Sequence, residues 1–185
     1  MDEALDRAVR VFSERGYHGT SIGDLTAAMQ LTAGSVYKAF KDKREVFIAA
    51  FDRYKGERDA KLRLLIGAAC NGREKLRNML AFYADASSGK LGRQGCLVVG
   101  CAAELDTFDE EVARRVTGAL GKSEKLLGEL IREGQADGSI PPTVDAETAA
   151  RLMLCIVQGM RLVGKSGRTR AEMAALVDLA LRTLD

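Results

Sequence analysis

Proline and histidine are scarce in this chain, and tryptophan is absent. The few prolines and the single histidine limit which folds and which sites the chain can form. Two prolines among 185 residues leave long uninterrupted segments, which favour helices over strands. Histidine occurs once, at His18, and the four cysteines include no CxxC pair, so we expect no bound metal and no cofactor. We do not expect an enzyme either, because a Ser-His-Asp set would need His18 and no phosphate-binding loop motif is present.

Long apolar runs and a strong excess of one charge are also missing. No run is long enough to span a membrane, and the acidic, amphipathic start MDEALDRAVRVF is unlike a signal peptide. We therefore expect a cytoplasmic protein with no membrane contact and with reduced cysteines. The net charge of +2 does not by itself indicate nucleic acid. Basic residues are instead concentrated locally, at 38–44 and 53–58.

Apolar residues recur at helical spacing through most of the chain, and caps and glycines divide the pattern into about nine helices. The Gly-rich stretch SSGKLGRQG is predicted to be a loop. The next stretch, CLVVGCAAEL, fits a buried strand or a buried helix, and we favour helix because its surroundings are helical. The expected fold class is therefore all-α. Predicted spans are 3–15, 22–30, 33–39, 43–69, 73–87, about 96–104, 109–136, 145–164 and 170–184.

The second and third predicted helices match a helix-turn-helix, since only a three- or four-residue turn separates them. Val36 and Phe40 would face inward and leave the other side of the third helix free. Small residues at the start of that helix would allow close approach to base edges, and the following Tyr and Lys side chains can contact phosphates. The alternative interpretation is a solvated face beside a core aromatic, in a helical interaction module that binds no DNA.

The stretch GYHGTSIGDLTAAMQLTAGSVYKAFKDKREVF resembles the DNA-binding region of the TetR/AcrR family of transcriptional regulators. The resemblance covers residues 4–52, but Gln30 stands where the family often has Gly, and Ala39 where it often has His. It implies phosphate contacts from Thr20, Tyr37 and Lys43, and base contacts from residues 32–35 with Lys38. The expected DNA-binding residues are Thr20, Ser21, Thr32, Ala33, Gly34, Ser35, Tyr37, Lys38, Lys41 and Lys43.

The resemblance also implies a domain division and a mechanism. Residues 1–45 would bind double-stranded DNA, and residues 46–185 would bind an effector and dimerise. The expected protein is a homodimeric repressor that a small molecule of unknown class releases from a palindromic operator. The expected effector-pocket residues are Met79, Phe82, Tyr83, Cys96, Cys101, Met153 and Arg161; the alternative for each is plain core packing. A buried Arg161 would need a carboxylate partner, either Glu104 or a ligand.

Two further interpretations remain open at this point. The apolar stripe of the last two helices fits a four-helix dimer interface or the protomer's own core. The segment GCLVVGCAAE resembles one found in a subset of these regulators, some of which sense oxidants or electrophiles through a cysteine; Cys96 would be that residue here. The predicted interface residues are Met153, Ile156, Met160, Met173, Leu176, Val177, Ala180, Leu181 and Leu184.

Overall fold

The computed structural model describes all 185 residues, and its only regular structure is helical. This confirms the all-α fold class. None of the helices combines the length and the apolarity that a membrane crossing needs. The elements are α1 (Asp2–Arg15), α2 (Ile22–Met29), α3 (Ala33–Ala39), α4 (Lys43–Gly67), α5 (Gly72–Ala86), α6 (Gly89–Gln94), α7 (Leu97–Ala103), a 3-10 helix (Leu105–Thr107), α8 (Glu110–Asp137), α9 (Ala146–Val163), a second 3-10 helix (Gly164–Ser166) and α10 (Arg170–Arg182).

The predicted loop at residues 87–95 is wrong, because it contains α6, a tenth helix beyond the nine expected. One of its glycines, Gly92, marks close packing. A Cβ atom at Gly92 would lie 2.4 Å from the Ser87 carbonyl oxygen and 2.9 Å from that of Gly164. Only a residue without a side chain allows the backbone of α6 to approach these neighbours so closely. The ambiguous stretch that follows is helical, as α7.

Side-chain caps explain why most helix starts were predictable. Seven of the ten α-helices begin with an Asp, Asn, Ser or Thr side chain that accepts a hydrogen bond from a backbone N–H of the first turn. Asp42 illustrates this, since its carboxylate accepts from the Glu45 N–H at 2.9 Å and so begins α4.

Two hydrophobic clusters hold the helices together. The N-terminal cluster joins α1, α2, α3 and the start of α4 to α7 and the start of α8. The C-terminal cluster joins the end of α4 to α5, the rest of α8, α9 and α10. The 25-residue α4 therefore contributes to both clusters. The division at residue 45 stays a prediction, although Val46 and Phe47 beyond it belong to the N-terminal cluster.

Candidate functional site

α2 and α3 form a helix-turn-helix whose turn contains one left-handed residue. Ser21 begins α2, since its hydroxyl accepts from the Asp24 N–H at 3.1 Å and the Asp24 carboxylate accepts from the Ser21 N–H at 2.9 Å. Gln30 follows α2 at φ 57° and ψ 40°, a conformation that is uncommon outside glycine. Thr32 then begins α3 by accepting from the Ser35 N–H at 3.1 Å. The turn thus closes with Gln30 where the resembling family often has glycine.

One edge of α3 is buried and the opposite face is exposed. Val36 is 1% exposed, and Phe40 packs against the N-terminal cluster. Tyr37 is 55% exposed, although a large aromatic side chain would gain from burial. This exposed face has the shape and chemistry of a surface that enters a DNA groove. Its exposed members are Thr32, Ala33, Gly34, Ser35, Tyr37, Lys38 and Lys41.

The hydroxyl groups of Thr20 and Ser21 are engaged within the protein. Thr20 is 1% exposed, and its hydroxyl donates to the Gly16 carbonyl at 2.7 Å. The Ser21 hydroxyl donates to the Asp24 carboxylate at 2.6 Å, and this hydrogen bond is the main cause that lowers the pKa of Asp24 to about 2. The Ser21 hydroxyl therefore stabilises the start of α2, and the Thr20 hydroxyl stabilises the turn between α1 and α2. Contacts of either hydroxyl with phosphate stay a prediction.

Lys43 also has partners inside the protein. Its ammonium nitrogen donates to the carbonyl oxygens of Tyr17 at 3.1 Å and Thr20 at 3.0 Å, and lies 4.3 Å from the centroid of the Tyr17 ring. A lysine has three N–H donors, so one remains for a phosphate. The structure thus gives Lys43 a role that the sequence did not indicate: it connects the start of α4 to the turn before α2.

The basic residues near α3 differ in how far carboxylates neutralise them. Lys38 and Lys41 form no ion pair. Arg44 donates to both Asp109 oxygens, at 2.7 and 2.9 Å, and to Glu111 at 2.5 Å. Arg53, which the sequence groups with the basic residues, pairs instead with acids of α1 and α4. Unpaired positive charge is therefore concentrated on the two lysines beside the exposed face.

A junction between the N-terminal helices and the start of α8 was missed by sequence reasoning. No spacing rule connects the acids at 109–111 with Arg44. Hydrogen bonding from Arg44 is the largest of the causes that hold the pKa of Asp109 well below its ordinary range. Beside this pair, the Phe108 ring lies 5.3 Å from Tyr17 and 5.8 Å from Phe47.

Four of the predicted effector residues line two neighbouring spaces next to α4. A cleft of about 250 Å³ between α4, α5 and α8 is lined in part by Met79 and Tyr83. Tyr83 also lines a smaller cavity of about 20 Å³, together with Cys96 and Arg161. That volume holds little more than one water molecule.

The other three predicted effector residues lie elsewhere. Phe82 packs its ring 4.5 Å from the Arg58 guanidinium. Cys101 is buried in the N-terminal cluster and Met153 in the C-terminal cluster, and neither lines the cleft or the cavity. Their burial fits the interpretation that they are core residues.

The two buried cysteines have different environments. Burial opposes ionisation of Cys96, but the charge of Arg161 and hydrogen bonds from Tyr54, the Val99 N–H and Arg161 outweigh it and lower the thiol pKa. The Cys96 sulfur lies 3.4 Å from the Tyr54 hydroxyl. Burial, with Glu104 and Cys96 nearby, raises the pKa of Cys101 to about 12. Of the two buried thiols, Cys96 is therefore the one whose surroundings favour ionisation.

Comparison with known proteins decides the family. The model described as "Bacterial regulatory proteins, tetR family" matches residues 4–50, and "Tetracyclin repressor-like, C-terminal domain" matches residues 72–179. The second match alone covers more than half of the chain. The protein belongs to the TetR family. It is therefore a DNA-binding transcriptional regulator, as the resemblance implied, and not an enzyme.

Relatives of this TetR-family chain match it along nearly its full length. The HTH-type transcriptional repressor ComR of Escherichia coli K12 is 28% identical over 182 residues, covering 98% of this chain and 87% of ComR. A variant of the TetR-family regulator CifR, in which three cysteines are replaced, was solved with 26-bp operator DNA. It superposes with TM-score 0.88 at 31% identity, covering 100% of this chain and 96% of that one. FadR of Bacillus subtilis with stearoyl-CoA shares the fold, with TM-score 0.76 at 19% identity over 98% of this chain and 96% of that one.

The last two helices of the TetR-family chain divide the predicted interface residues between two faces. Ile156 is half-buried and Leu176 is exposed, and the exposed apolar residues around them are Leu152, Leu162, Val163 and Leu179. The other predicted members pack inside the protomer, which leaves them little surface for a second copy. Those buried residues are Met153, Met160, Met173, Val177, Ala180, Leu181 and Leu184.

Proposed function

We propose that this TetR-family regulator is a homodimeric repressor whose α3 reads a palindromic operator and which a small-molecule effector releases. The observation that carries the proposal is the division of α3 into a buried edge at Val36 and an exposed face of small residues, Tyr37 and two unpaired lysines. The relatives support it, because ComR is a transcriptional repressor and the CifR variant was solved on operator DNA. Operator binding implies a cytoplasmic location.

A second copy of the chain would pack against the outer faces of α9 and α10. Leu179 is 58% exposed there, and burying each such leucine would contribute about 1.5–3 kcal/mol. The seven buried residues named above would support this interface from inside the protomer. One α3 reaches only a few base pairs, whereas two copies about 34 Å apart read both halves of a palindrome.

Effector binding would act through α4. This helix lines the cleft and the small cavity with its middle, and its first residues contact the turn before α2 and the start of α8. A shift of α4 would change the separation of the two α3 helices. An effector that weakens operator binding a hundredfold must favour the released state by about 2.7 kcal/mol. FadR, which shares the fold, was solved with stearoyl-CoA and is therefore an example of this fold with a bound small molecule.

The test is to select bound DNA from a random pool and then measure affinity for the selected sequence at several salt concentrations. We expect a palindrome, a complex of two chains per site, and binding that weakens steeply with salt. Sedimentation of the free protein should show a dimer. A protein that is monomeric, or that selects no sequence, would contradict the proposal and favour the helical interaction module.

A second candidate is release through modification of Cys96, which the lowered thiol pKa favours. Iodoacetamide would alkylate the thiolate, forming a thioether and releasing iodide. If Cys96 is the sensor, alkylation abolishes operator binding of the wild type but not of Cys96→Ser. Cys70 and Cys155 are exposed and would be replaced by serine in both proteins. A Cys96→Ser protein that still responds to oxidant would eliminate this candidate.

A further inference from the structure

A second recess, next to the small cavity, is lined by three arginines and by no acidic residue. It has a volume of about 120 Å³ and lies between α1, α4 and the segment around α6. Arg10 comes from α1, Arg58 from α4 and Arg161 from α9. None of the three forms an ion pair, although eighteen ion pairs occur elsewhere in the chain. The recess thus brings three positive charges together without a carboxylate in its lining.

Arg161 is the most deeply buried of these cations. It is 3% exposed, and its guanidinium donates to the carbonyl oxygens of Ala86 and, at 2.8 Å, of Gly95. Its Nε has no hydrogen-bond partner. Glu104, the partner considered from sequence, is exposed and directs its carboxylate toward Gly16. Burying a cation without a counter-ion costs several kcal/mol of folding free energy. A bound anion next to Arg161 would offset that cost.

Arg58 adds a second cation to the same recess. Its guanidinium lies 4.5 Å from the Phe82 ring centroid, 5.3 Å from Tyr83 and 5.5 Å from Tyr54. These rings fix its orientation by cation–π contacts, yet its buried Nη2 has no hydrogen-bond partner. A guanidinium held by aromatic faces leaves its N–H groups free for a planar anion.

Neither the recess nor the small cavity has an acidic residue in its lining, and Cys96 is the lining residue whose ionisation the surroundings favour. Arg161 and Cys96 both line the small cavity on the far side of Tyr54. A thiolate there would offset at most one of the two positive charges. Arg58 would still lack a counter-ion, so the pair of arginines is not explained by the cysteine alone.

We propose that the recess binds a small organic carboxylate, with its carboxylate oxygens between Arg58 and Arg161. This rests on the proposed function, because it assigns a chemical class to the effector. Guanidinium and carboxylate match as two parallel hydrogen bonds. Val9, Leu91 and Tyr54 line the same recess and provide apolar contact for a short hydrocarbon body. Because Tyr54 and Arg58 belong to α4, occupancy would act directly on the helix that connects the effector region to the helix-turn-helix.

The test is calorimetric titration of the full-length protein with straight-chain carboxylates from acetate to octanoate. Butyramide and phenyl phosphate are the comparison ligands. We expect at least one carboxylate to bind and butyramide not to bind. Arg58→Met keeps an apolar side chain against the rings and should lower carboxylate affinity about ten- to hundredfold. The matched control is Lys61→Met, which removes an exposed cation of the same helix that lines neither the recess, the cleft nor the small cavity.

Several results would overturn the proposal. These are equal binding of butyramide, equal loss of affinity in the two variants, or binding of phenyl phosphate with no carboxylate. An Arg161→Met protein could unfold, because two carbonyl groups lose their donors, so Arg58→Met carries the test. Operator affinity of the ligand-free protein is measured in parallel. Intact operator binding without carboxylate binding defeats this inference alone, whereas absent operator binding defeats the proposed function. Carboxylate binding that leaves operator affinity unchanged would defeat the effector role.

Discussion

Positive charge is placed in two different ways in this molecule. Lys38 on α3 and Lys41 just after it are exposed and unpaired, whereas Arg58 of α4 is half-buried against aromatic rings and Arg161 of α9 is buried against carbonyl oxygens. Exposed lysines suit a polyanion, because many weak, exchangeable contacts follow a phosphate backbone. Enclosed arginines suit a single small anion that replaces their lost hydration. Positive side chains therefore serve different ligands in the two regions, and the surroundings of each side chain determine which ligand it suits.

The largest expected difference between the two regions is in how strongly salt weakens ligand binding. If the dimer makes about six to ten phosphate contacts, its operator affinity should fall about 10³–10⁵-fold between about 50 and 200 mM salt. Carboxylate binding in the recess should change far less, because salt screens buried pairs weakly. Fluorescence anisotropy and calorimetry at matched salt concentrations would measure both. Equal salt dependence at the two sites would contradict the comparison.

Lys43→Ala should show that a lysine near α3 stabilises the fold. Losing two hydrogen bonds from its ammonium group should lower the free energy of unfolding by about 1.5–3 kcal/mol. Lys38→Ala should leave stability within about 0.5 kcal/mol and reduce the salt slope by about one per half-site. Chemical denaturation and salt titration of the two variants measure this. An unchanged stability for Lys43→Ala, with uniformly weaker DNA binding, would instead support phosphate contact as its main role.

Arg44→Gln should loosen the junction between the N-terminal helices and the start of α8. Backbone amides at 105–112 should exchange hydrogen a few-fold faster, since exposed ion pairs contribute modestly. The depressed pKa of Asp109 means that the contact is fully formed above the ordinary carboxyl value and is lost as pH falls through the folded value. Acid should therefore produce the same faster exchange in the wild type. Arg53→Gln, whose partners lie on α1 and α4, is the control. Faster exchange at 105–112 in the control as well would contradict a specific junction.

Gln30→Gly should give the smallest effect. Glycine removes the strain of the left-handed conformation but adds freedom to the unfolded chain, so we expect a gain of about 0.5 kcal/mol. Gln30→Ala keeps the strain and should change stability little. Differential scanning calorimetry would compare the three proteins. A loss of stability in the glycine variant would mean that Gln30 makes a contribution other than its backbone conformation.

A region was predictable from the sequence where the contacts that form it join residues close together in the chain. The helix-turn-helix was predictable because its caps, its turn and its buried Val36 act within a few residues. Long-range partners were not predictable. Nothing in the spacing connects Arg44 with Asp109, 65 residues away, or Lys43 with the Tyr17 carbonyl, 26 residues away.

The body of the protein was harder because one apolar pattern fits several environments. The stripe on the last two helices marks both the protomer's core and the outer face, and sequence spacing cannot rank Val177 against Leu179. The glycines at 89–95 suggested a loop, whereas Gly92 permits a close backbone approach that only the folded chain reveals. Arg161 was predicted to need an anionic partner, and the structure adds Arg58 beside it.

The most direct test of the central claim, that the exposed face of α3 reads bases, is a base-preference measurement. Wild type and Ser35→Ala, a variant at the exposed start of α3, would each be presented with a random DNA pool and the bound sequences counted. We expect the variant to lose preference at one or two positions in each half-site, placed symmetrically, while the other positions are unchanged. Identical preferences at every position would contradict the account.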